Sequence, residues 1–332
     1  MEYINDAGTL ILDATINISR YAFEIYKQLN PKIFPQKIMV PKIFEACLQQ
    51  IFEAHQQFVQ MNTFELVPIK HMEPNNKVLL ACSGGLDSIY QAFILREQGY
   101  DVTLFHVKNM NYYSNGKEFE VVKDFSNTFK FPLRFGQIKQ NTKTTNVFKK
   151  YWKENSFKNI LLYCMMIDYC VEHNIYNISC GDDLSLDIKD AVVGTNVADA
   201  KQVTMSFINT LNILSNINFL FVDVTQHKGI RLKKIFDNNA QDLFYSCVNS
   251  GRFNQSNHKR VSQKFNVDLE KYNCGMCRKC AFHSLLRHYF LNESFPQQFI
   301  DYCWEKIQIG ADYEFFKPTL SLEQRIHNLY NY

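Results

Sequence analysis

A six-residue stretch, Ser83-Gly84-Gly85-Leu86-Asp87-Ser88, has the residue types of a turn that binds phosphate. Glycines let the backbone approach an oxyanion closely, and serine hydroxyls add hydrogen-bond donors. An apolar run precedes the stretch and apolar residues at helical spacing follow it, which predicts a strand, a tight turn and a helix. The free N–H groups at the start of that helix favour an anion. The alternative interpretation is an ordinary glycine-rich turn.

Two common phosphate-binding motifs are absent from the sequence, the Walker-type P-loop and the Gly-x-Gly-x-x-Gly of dinucleotide folds. The stretch instead resembles the SGGxDS signature of the PP-loop ATP pyrophosphatases. This resemblance implies that all six residues hold the β,γ-pyrophosphate of ATP together with Mg²⁺. It also implies that AMP is transferred to a carbonyl or carboxylate oxygen, with catalytic roles for Ser83, Asp87 and Ser88.

Four of the ten cysteines have the spacing of a metal site, because Cys247 is followed by Cys274-Gly-Met-Cys277-Arg-Lys-Cys280. Such thiolates can fill the four positions of a tetrahedral Zn²⁺. An iron–sulfur cluster and redox-active thiols are the alternatives that the spacing leaves open. Cys82, just before the glycines, is interpreted as a buried strand residue, with a nucleophile as the alternative.

The elements that must position these residues follow from the hydrophobic pattern. Short apolar runs alternate with segments of helical periodicity, at 78–82, 102–107, 133–138, 175–180 and 218–224. Strands that alternate with helices predict an α/β fold with a doubly wound parallel sheet. In such a sheet, ligands bind beyond the carboxyl ends of the strands.

Several polar residues follow these predicted strands. His106 lies in a segment expected to form a wall of the adenine pocket, and Gly181 is a further candidate for nucleotide contact. Asp182 and Asp183 come next and could hold Mg²⁺ or orient a substrate amine, or they could form a solvated turn with a helix N-cap. Lys228 follows a later strand, where a lysine could neutralise phosphate charge; a surface lysine is the alternative.

The phosphate loop and the late cysteines together resemble the 7-cyano-7-deazaguanine synthase (QueC) family, a branch of the PP-loop enzymes, over residues 77–291. The resemblance equates Cys247, Cys274, Cys277 and Cys280 with zinc ligands, and Lys228 with a lysine that follows a late strand. Members of this family use ATP and ammonia to convert 7-carboxy-7-deazaguanine through an amide to a nitrile. The resemblance therefore implies ATP, Mg²⁺ and Zn²⁺ as cofactors, and a 7-deazapurine-like carboxylate and ammonia as substrates.

The sequence departs from this family at the start of a predicted helix, 159–173, that is apolar on nearly every face. The family has Gly-Arg-Asn there, and this chain has Phe157-Lys158-Asn159. A basic residue remains, but without the bidentate guanidinium. Asn159 is assigned to the nucleotide. The residues assigned to the substrate are Lys158, Asp182 and Asp183.

Length and composition divide the chain and limit its partners. We predict a helical N-terminal extension at 1–75, a PP-loop nucleotide-binding domain at 76–240, and a zinc-knuckle and helical region at 241–332. The net charge of +3 and the dispersed lysines and arginines do not support nucleic acid. No apolar run reaches the ~20 residues of a membrane span, and the N-terminus lacks signal-peptide features, so we expect a cytoplasmic protein without a membrane partner.

Three classes of function fit these observations. The first is an ATP-dependent, AMP-forming ligase that adenylates a small carboxylate for attack by ammonia. The second is a similar enzyme that modifies a protein terminus, tRNA or DNA, with residues 1–75 as a docking surface for a protein partner. The third is a module that senses a nucleotide without turnover. The sequence leaves the oligomeric state open, with a homodimer as one alternative.

Overall fold

The structure, a computed structural model, describes residues 18–28, 35–54, 56–65, 71–108, 117–137, 157–181, 204–211, 216–221, 228–245, 247 and 253–308. Its strands are β1 (Lys37–Pro41), β2 (Gln60–Phe64), β3 (Lys77–Ala81), β4 (Asp101–Lys108), β5 (Leu133–Gln137), β6 (Asn177–Cys180) and β7 (Asn218–Leu220). Its helices are α1 (Ile18–Gln28), α2 (Glu45–Ala54), α3 (Leu86–Glu97), α4 (Lys117–Phe129), α5 (Phe157–His173), α6 (Lys228–Asp237), α7 (Phe253–Phe265), α8 (Arg278–Phe290) and α9 (Gln297–Gln308). Residues 204–211 are also helical.

Five of the strands form one parallel sheet in the order β5-β4-β3-β6-β7. In the centre, Ala81 of β3 lies opposite Phe105 of β4 and Cys180 of β6. The chain runs outward from β3 to β5 and then adds β6 and β7 on the other side of β3. The carboxyl ends of β3 and β6 therefore flank the switch point, where α/β sheets bind ligands. The doubly wound parallel sheet predicted from the sequence is confirmed.

Alternation along β3 directs its side chains to two hydrophobic layers. Val78 and Leu80 pack in the layer that contains α3, α4 and α6, and Leu79 and Ala81 pack in the layer that contains α1, α2 and α5. Both faces of the sheet are thus covered, which explains why β3 is a continuous apolar run. The helix expected at 159–173 is present as α5, and it is buried along most of its length.

The N-terminal region contains helices α1 and α2, as expected from the sequence, and also two strands that the sequence did not predict. β1 and β2 pair in parallel as a separate two-stranded sheet. Sequence periodicity did not reveal them because β2 has no apolar alternation, and β1 is a short run that ends at Pro41. The boundary placed at residue 75 stays a prediction, but the described part of this segment shares a hydrophobic layer with α5.

The C-terminal region forms its own small hydrophobic core, separate from the two layers that cover the five-stranded sheet. α7, α8 and α9 contribute Val261, Leu285 and Phe299, among others, to this cluster. Among the described helices, none is long and apolar enough to cross a membrane.

Candidate functional site

The predicted phosphate loop, residues 83–88, joins β3 to α3 at the switch point of the sheet. Gly85 is the N-cap residue of α3, and its N–H donates to Ser83 Oγ at 3.4 Å. Ser88 is buried in the first turn, and its hydroxyl donates to the Gly85 carbonyl at 3.1 Å. Ser83 is exposed. The turn thus presents an exposed hydroxyl and a helix N-terminus at the edge where ligands bind.

Two glycines are required by the packing around the loop. Gly84 has a φ of +75°, and a Cβ there would lie 3.1 Å from the Val121 side chain of α4. Gly181, directly after β6, lies against the start of α3, and a Cβ there would lie 2.6 Å from the Ser88 backbone nitrogen. Because backbone atoms cannot move away as a flexible side chain can, only glycine fits at Gly181. The structure therefore places Gly181 in contact with the loop, and its predicted contact with a nucleotide stays a prediction.

The acid of the loop is paired with two cations from α6. Asp87 Oδ2 lies 3.1 Å from Lys228 Nζ, and Asp87 Oδ1 lies 2.8 Å from an Arg231 guanidinium nitrogen. α6 follows β7, so its first residue starts at the carboxyl edge of the sheet, which places Lys228 beside the loop. Arg231 is 1% exposed, whereas nearly half of the Lys228 side chain is exposed.

These charges determine the protonation of Asp87. Burial by itself would raise the pKa of the carboxyl, but the positive charges and hydrogen bonds of Lys228 and Arg231 outweigh it and hold the pKa below its ordinary value. Asp87 is therefore an anion at neutral pH. Sequence reasoning identified Lys228 but missed Arg231, which lies 144 residues from Asp87 and belongs to no recognised motif. Its place one helical turn after Lys228 was the available signal.

The structure describes two of the remaining residues that were predicted to bind the nucleotide or the substrate, His106 and Asn159. His106 on β4 is buried, and its Nδ1 donates to the Cys82 carbonyl at 2.9 Å, so it lies directly behind the loop. Asn159 is half-buried in the first turn of α5. The Lys158 side chain, Asp182 and Asp183 lie outside the described residues, and their roles stay predictions.

The four predicted metal ligands converge. The Sγ atoms of Cys247, Cys274, Cys277 and Cys280 all lie within 4.8 Å of one another, and all four residues are buried. Individual Sγ–Sγ distances are 3.3 Å for Cys277 and Cys280, 3.8 Å for Cys274 and Cys280, and 3.9 Å for Cys247 and Cys277. Four thiolates bound at about 2.3 Å to one tetrahedral ion lie about 3.8 Å apart. The cluster has the size for a single ion.

Backbone geometry of the knuckle favours thiolates. The N–H groups of Met276 and Cys277 both point at Cys274 Sγ at 3.4 Å, across Gly275 with its φ of +68°. Cys277 is the N-cap residue of α8 and accepts from the Cys280 N–H at 3.5 Å. Hydrogen bonds from the neighbouring thiols, above all that of Cys247, hold the pKa of Cys277 below its ordinary value. The described residues can therefore hold a metal cation.

The cysteine cluster is joined to the phosphate loop. The Tyr245 N–H donates to the Gly84 carbonyl, and Tyr245, Cys247 and Val121 belong to one hydrophobic cluster with the other cysteines. The cysteine cluster and the loop are thus connected through Tyr245, which lies two residues before Cys247 in the chain.

One buried histidine was not predicted to have a role. His283 on α8 is 4% exposed, and its Nδ1 has no hydrogen-bond partner among the described residues. Its ring lies 5.3 Å from that of Phe244, and the charges of Lys228 and Asp87 act on it. Burial, helped by the charge of Lys228, lowers the pKa of His283 to about 4, so the ring between the two sites is neutral.

A family model matches the part of the chain that contains the phosphate loop. Residues 76–165 match the family model for the tRNA methyl transferase HUP domain. This segment contains the phosphate loop and β3 to β5, and it is less than half of the 332-residue chain. The match thus falls on the first three strands of the parallel α/β sheet that the sequence predicted.

A solved structure is also similar to this chain. It is the U34-tRNA thiolase NcsA from Methanococcus maripaludis with its [4Fe-4S] cluster, at 13% sequence identity and a TM-score of 0.36. The likeness covers 67% of this chain and 74% of the thiolase. A TM-score this low has no bearing on the metal or the substrate of this chain. No curated protein matches the sequence.

Proposed function

We propose that this protein is an ATP-dependent, AMP-forming enzyme of the PP-loop class that activates a carboxylate for attack by ammonia. The observation that carries the proposal is the phosphate loop at the switch point, with its acid held by two cations of α6. The match of residues 76–165 to a HUP domain supports it.

In this reaction the pyrophosphate of ATP would lie on the loop, and Mg²⁺ would supply further positive charge to the phosphates. A carboxylate oxygen attacks the α-phosphorus, the bond to the β-phosphate oxygen breaks, and pyrophosphate leaves. Ammonia then attacks the acyl-adenylate carbon, AMP leaves with the bonding electron pair, and a proton from nitrogen passes to water. Lys228 is exposed enough to reach the leaving phosphates, and Arg231 keeps Asp87 ionised and in place.

Two acceptors are candidates for this activation. The resemblance to the 7-cyano-7-deazaguanine synthases favours 7-carboxy-7-deazaguanine, which would be converted to an amide and then to a nitrile. The second candidate is a macromolecule. The match to a tRNA methyl transferase HUP domain favours tRNA over a protein or DNA as this acceptor.

We further propose that the cysteine cluster holds structural Zn²⁺. Four cysteines fill every position of a tetrahedral ion and leave none for a catalytic water. Separations that are all within 4.8 Å support one ion over a multi-iron cluster, whose thiolates bind separate iron atoms.

The experiment is an assay of AMP and pyrophosphate with ATP, Mg²⁺, ammonium and each candidate acceptor in turn. We expect both products with one acceptor and neither without it, and Lys228→Ala should lower the rate by at least about tenfold. The matched control is Lys233→Ala, which removes an exposed lysine of the same helix that pairs with Asp237. ATP binding without AMP release under every condition would replace the proposal with a nucleotide sensor.

A further inference from the structure

Helix α7 has an unusual charge composition for a chain that is nearly neutral. Its sequence, FNQSNHKRVSQKF, contains Lys259, Arg260 and Lys264 and no acidic residue. The helix lies in the 26-residue stretch that separates Cys247 from the other three cysteines, so its basic residues lie between two parts of the knuckle in the chain.

The cations lie on the solvent side of the helix. Lys259, Arg260 and Lys264 are exposed, whereas Val261 is buried in the C-terminal core. The exposed face between the cations is filled by uncharged polar side chains, Gln255, Ser256 and Gln263. Lys259 has no ion pair among the described residues.

The helix packs directly on the metal knuckle. His258 Nδ1 donates to the Asn273 carbonyl at 2.8 Å, and the Arg260 guanidinium lies 2.9 Å from Met276 Sδ. A groove runs along the helix, and its lining residues are mostly polar: His258, Lys259, Ser262, Gln263, Asn266, Val267 and Asp268. Lys279, exposed in the first turn of α8, adds a further cation just past the knuckle.

We propose that the exposed face of α7 binds the sugar-phosphate backbone of a nucleic acid. Lysine, arginine, serine and glutamine are the side chains that contact phosphate and sugar oxygens, and all four types are present on this face. A membrane surface fits less well, because a helix that lies on lipid inserts an apolar face and the apolar face of α7 is already buried in the protein. The net charge of the whole chain, +3, does not reveal this basic surface, because acidic residues elsewhere in the chain offset its positive charge.

This inference extends the proposed function, because the knuckle that carries α7 is joined to the phosphate loop through Tyr245 and Gly84. A nucleic acid on α7 would lie on the knuckle whose cluster contacts the phosphate loop through Tyr245. The inference names the chemical class of the macromolecular acceptor, and it is tested by binding alone, so its failure is distinct from a failure of the ATP chemistry.

The experiment measures fluorescence anisotropy of a labelled RNA duplex of about 20 base pairs, and of the DNA duplex of the same sequence, without ATP. Affinity is measured from low to physiological salt. We expect the Lys259→Glu, Lys264→Glu double variant to bind at least about tenfold more weakly than the wild-type chain, with a salt slope smaller by about 2. The matched control is Lys37→Glu with Lys77→Glu, which makes the same change in net charge at the exposed first residues of β1 and β3.

Thermal melting and metal content should be unchanged in both double variants, because all four lysines are exposed. The proposal is overturned if neither duplex binds the wild-type chain. It is also overturned if both double variants weaken binding equally, since the effect would then follow net charge. Binding to an acidic peptide but not to either duplex would assign the surface to a protein partner instead.

Discussion

Asp87 pairs with two cations, of which Arg231 is buried and Lys228 is partly exposed. The effect of a substitution on stability therefore depends on which cation loses its partner. Arg231 is enclosed and has its guanidinium on the Asp87 carboxylate, whereas Lys228 reaches the same carboxylate from solvent. Removal of one member of a buried ion pair leaves an uncompensated charge, which costs more than the pair itself contributes. Asp87 is therefore a structural residue as well as a candidate catalytic one.

The Asp87→Asn variant should be destabilised by about 3 kcal/mol, because the buried Arg231 loses the negative charge of the carboxylate with which it pairs. Arg231→Met combined with Asp87→Asn should recover part of that loss, since the buried charge is then gone as well. Urea unfolding of the two single variants and the double variant measures this coupling. Asp101→Asn, at the exposed start of β4, is the control. Additive losses would show that Asp87 and Arg231 are not coupled.

The residues of the site differ in how far the sequence reveals them. Ser83, Gly84 and Asp87 stand in one contiguous motif, and the strand and helix on either side of it show as local periodicity. Lys228 could be proposed because it follows a predicted strand. Arg231 could not, because its role depends on the packing of α6 against α3, a contact between segments more than 140 residues apart.

At the level of elements, the end of β6 constrains the position of the phosphate loop. Gly181 brings the end of β6 into contact with the first turn of α3. Two hydrogen bonds connect the same region: Gln91 of α3 donates to Ser179 Oγ at 3.1 Å, and the Ser179 hydroxyl donates to the Leu220 carbonyl at 2.6 Å. The position of α3 relative to three strands is thus determined near the phosphate loop.

Gly181→Ala should displace the start of α3, because the new Cβ would lie 2.6 Å from the Ser88 nitrogen. We expect AMP release to fall by about tenfold or more and stability to fall by 1–3 kcal/mol, about the cost of overpacking a core. The control is Gly99→Ala, at a φ of +85° with open space around it, which should cost about 1 kcal/mol through backbone strain and leave AMP release unchanged. Equal activity of the two variants would show that the contact at Gly181 does not position the loop.

The paired strands β1 and β2 show where sequence patterns fail at the level of elements. In β1 the buried residues Ile38 and Val40 alternate with the exposed Met39, but five residues are too few to separate a strand from a turn of amphipathic helix. β1 is identified as a strand by its parallel pairing with β2, in which Lys37 lies opposite Gln60. The residue pattern of neither strand predicts this pairing.

At the scale of the whole molecule, the cysteine cluster joins the nucleotide domain to the C-terminal helices. Cys277→Ser should lower the bound metal from about one ion per chain and reduce the melting temperature, because the ion closes the knuckle against the segment that carries Tyr245. Cys303→Ser, a buried cysteine of α9 outside the cluster, is the control and should keep the metal. Elemental analysis and calorimetry measure both quantities. A wild-type protein without metal would contradict the assignment.

The N-terminal segment is held to the nucleotide domain by a titratable group. Asp168 of α5 accepts hydrogen bonds from the Ile18 and Ser19 N–H groups at 3.0 Å each, and so caps α1. Burial raises the pKa of Asp168 to about 7 from an ordinary 3.8, although the hydrogen bonds from Ser19 and Ile18 oppose the shift. The folded chain therefore binds this proton more tightly than the unfolded chain does.

Asp168 should thus add stability that is complete below about pH 4 and is lost as the pH rises through about 7. Asp168→Asn removes the titration and keeps one acceptor for the cap. Between pH 5 and pH 8, the free energy of unfolding of the wild-type chain should fall relative to that of the variant by on the order of 2 kcal/mol. Urea unfolding at the two pH values measures the difference, with Asp101→Asn as the control that keeps the wild-type pH dependence. If the wild-type chain and Asp168→Asn change equally with pH, the proton is not bound at this cap.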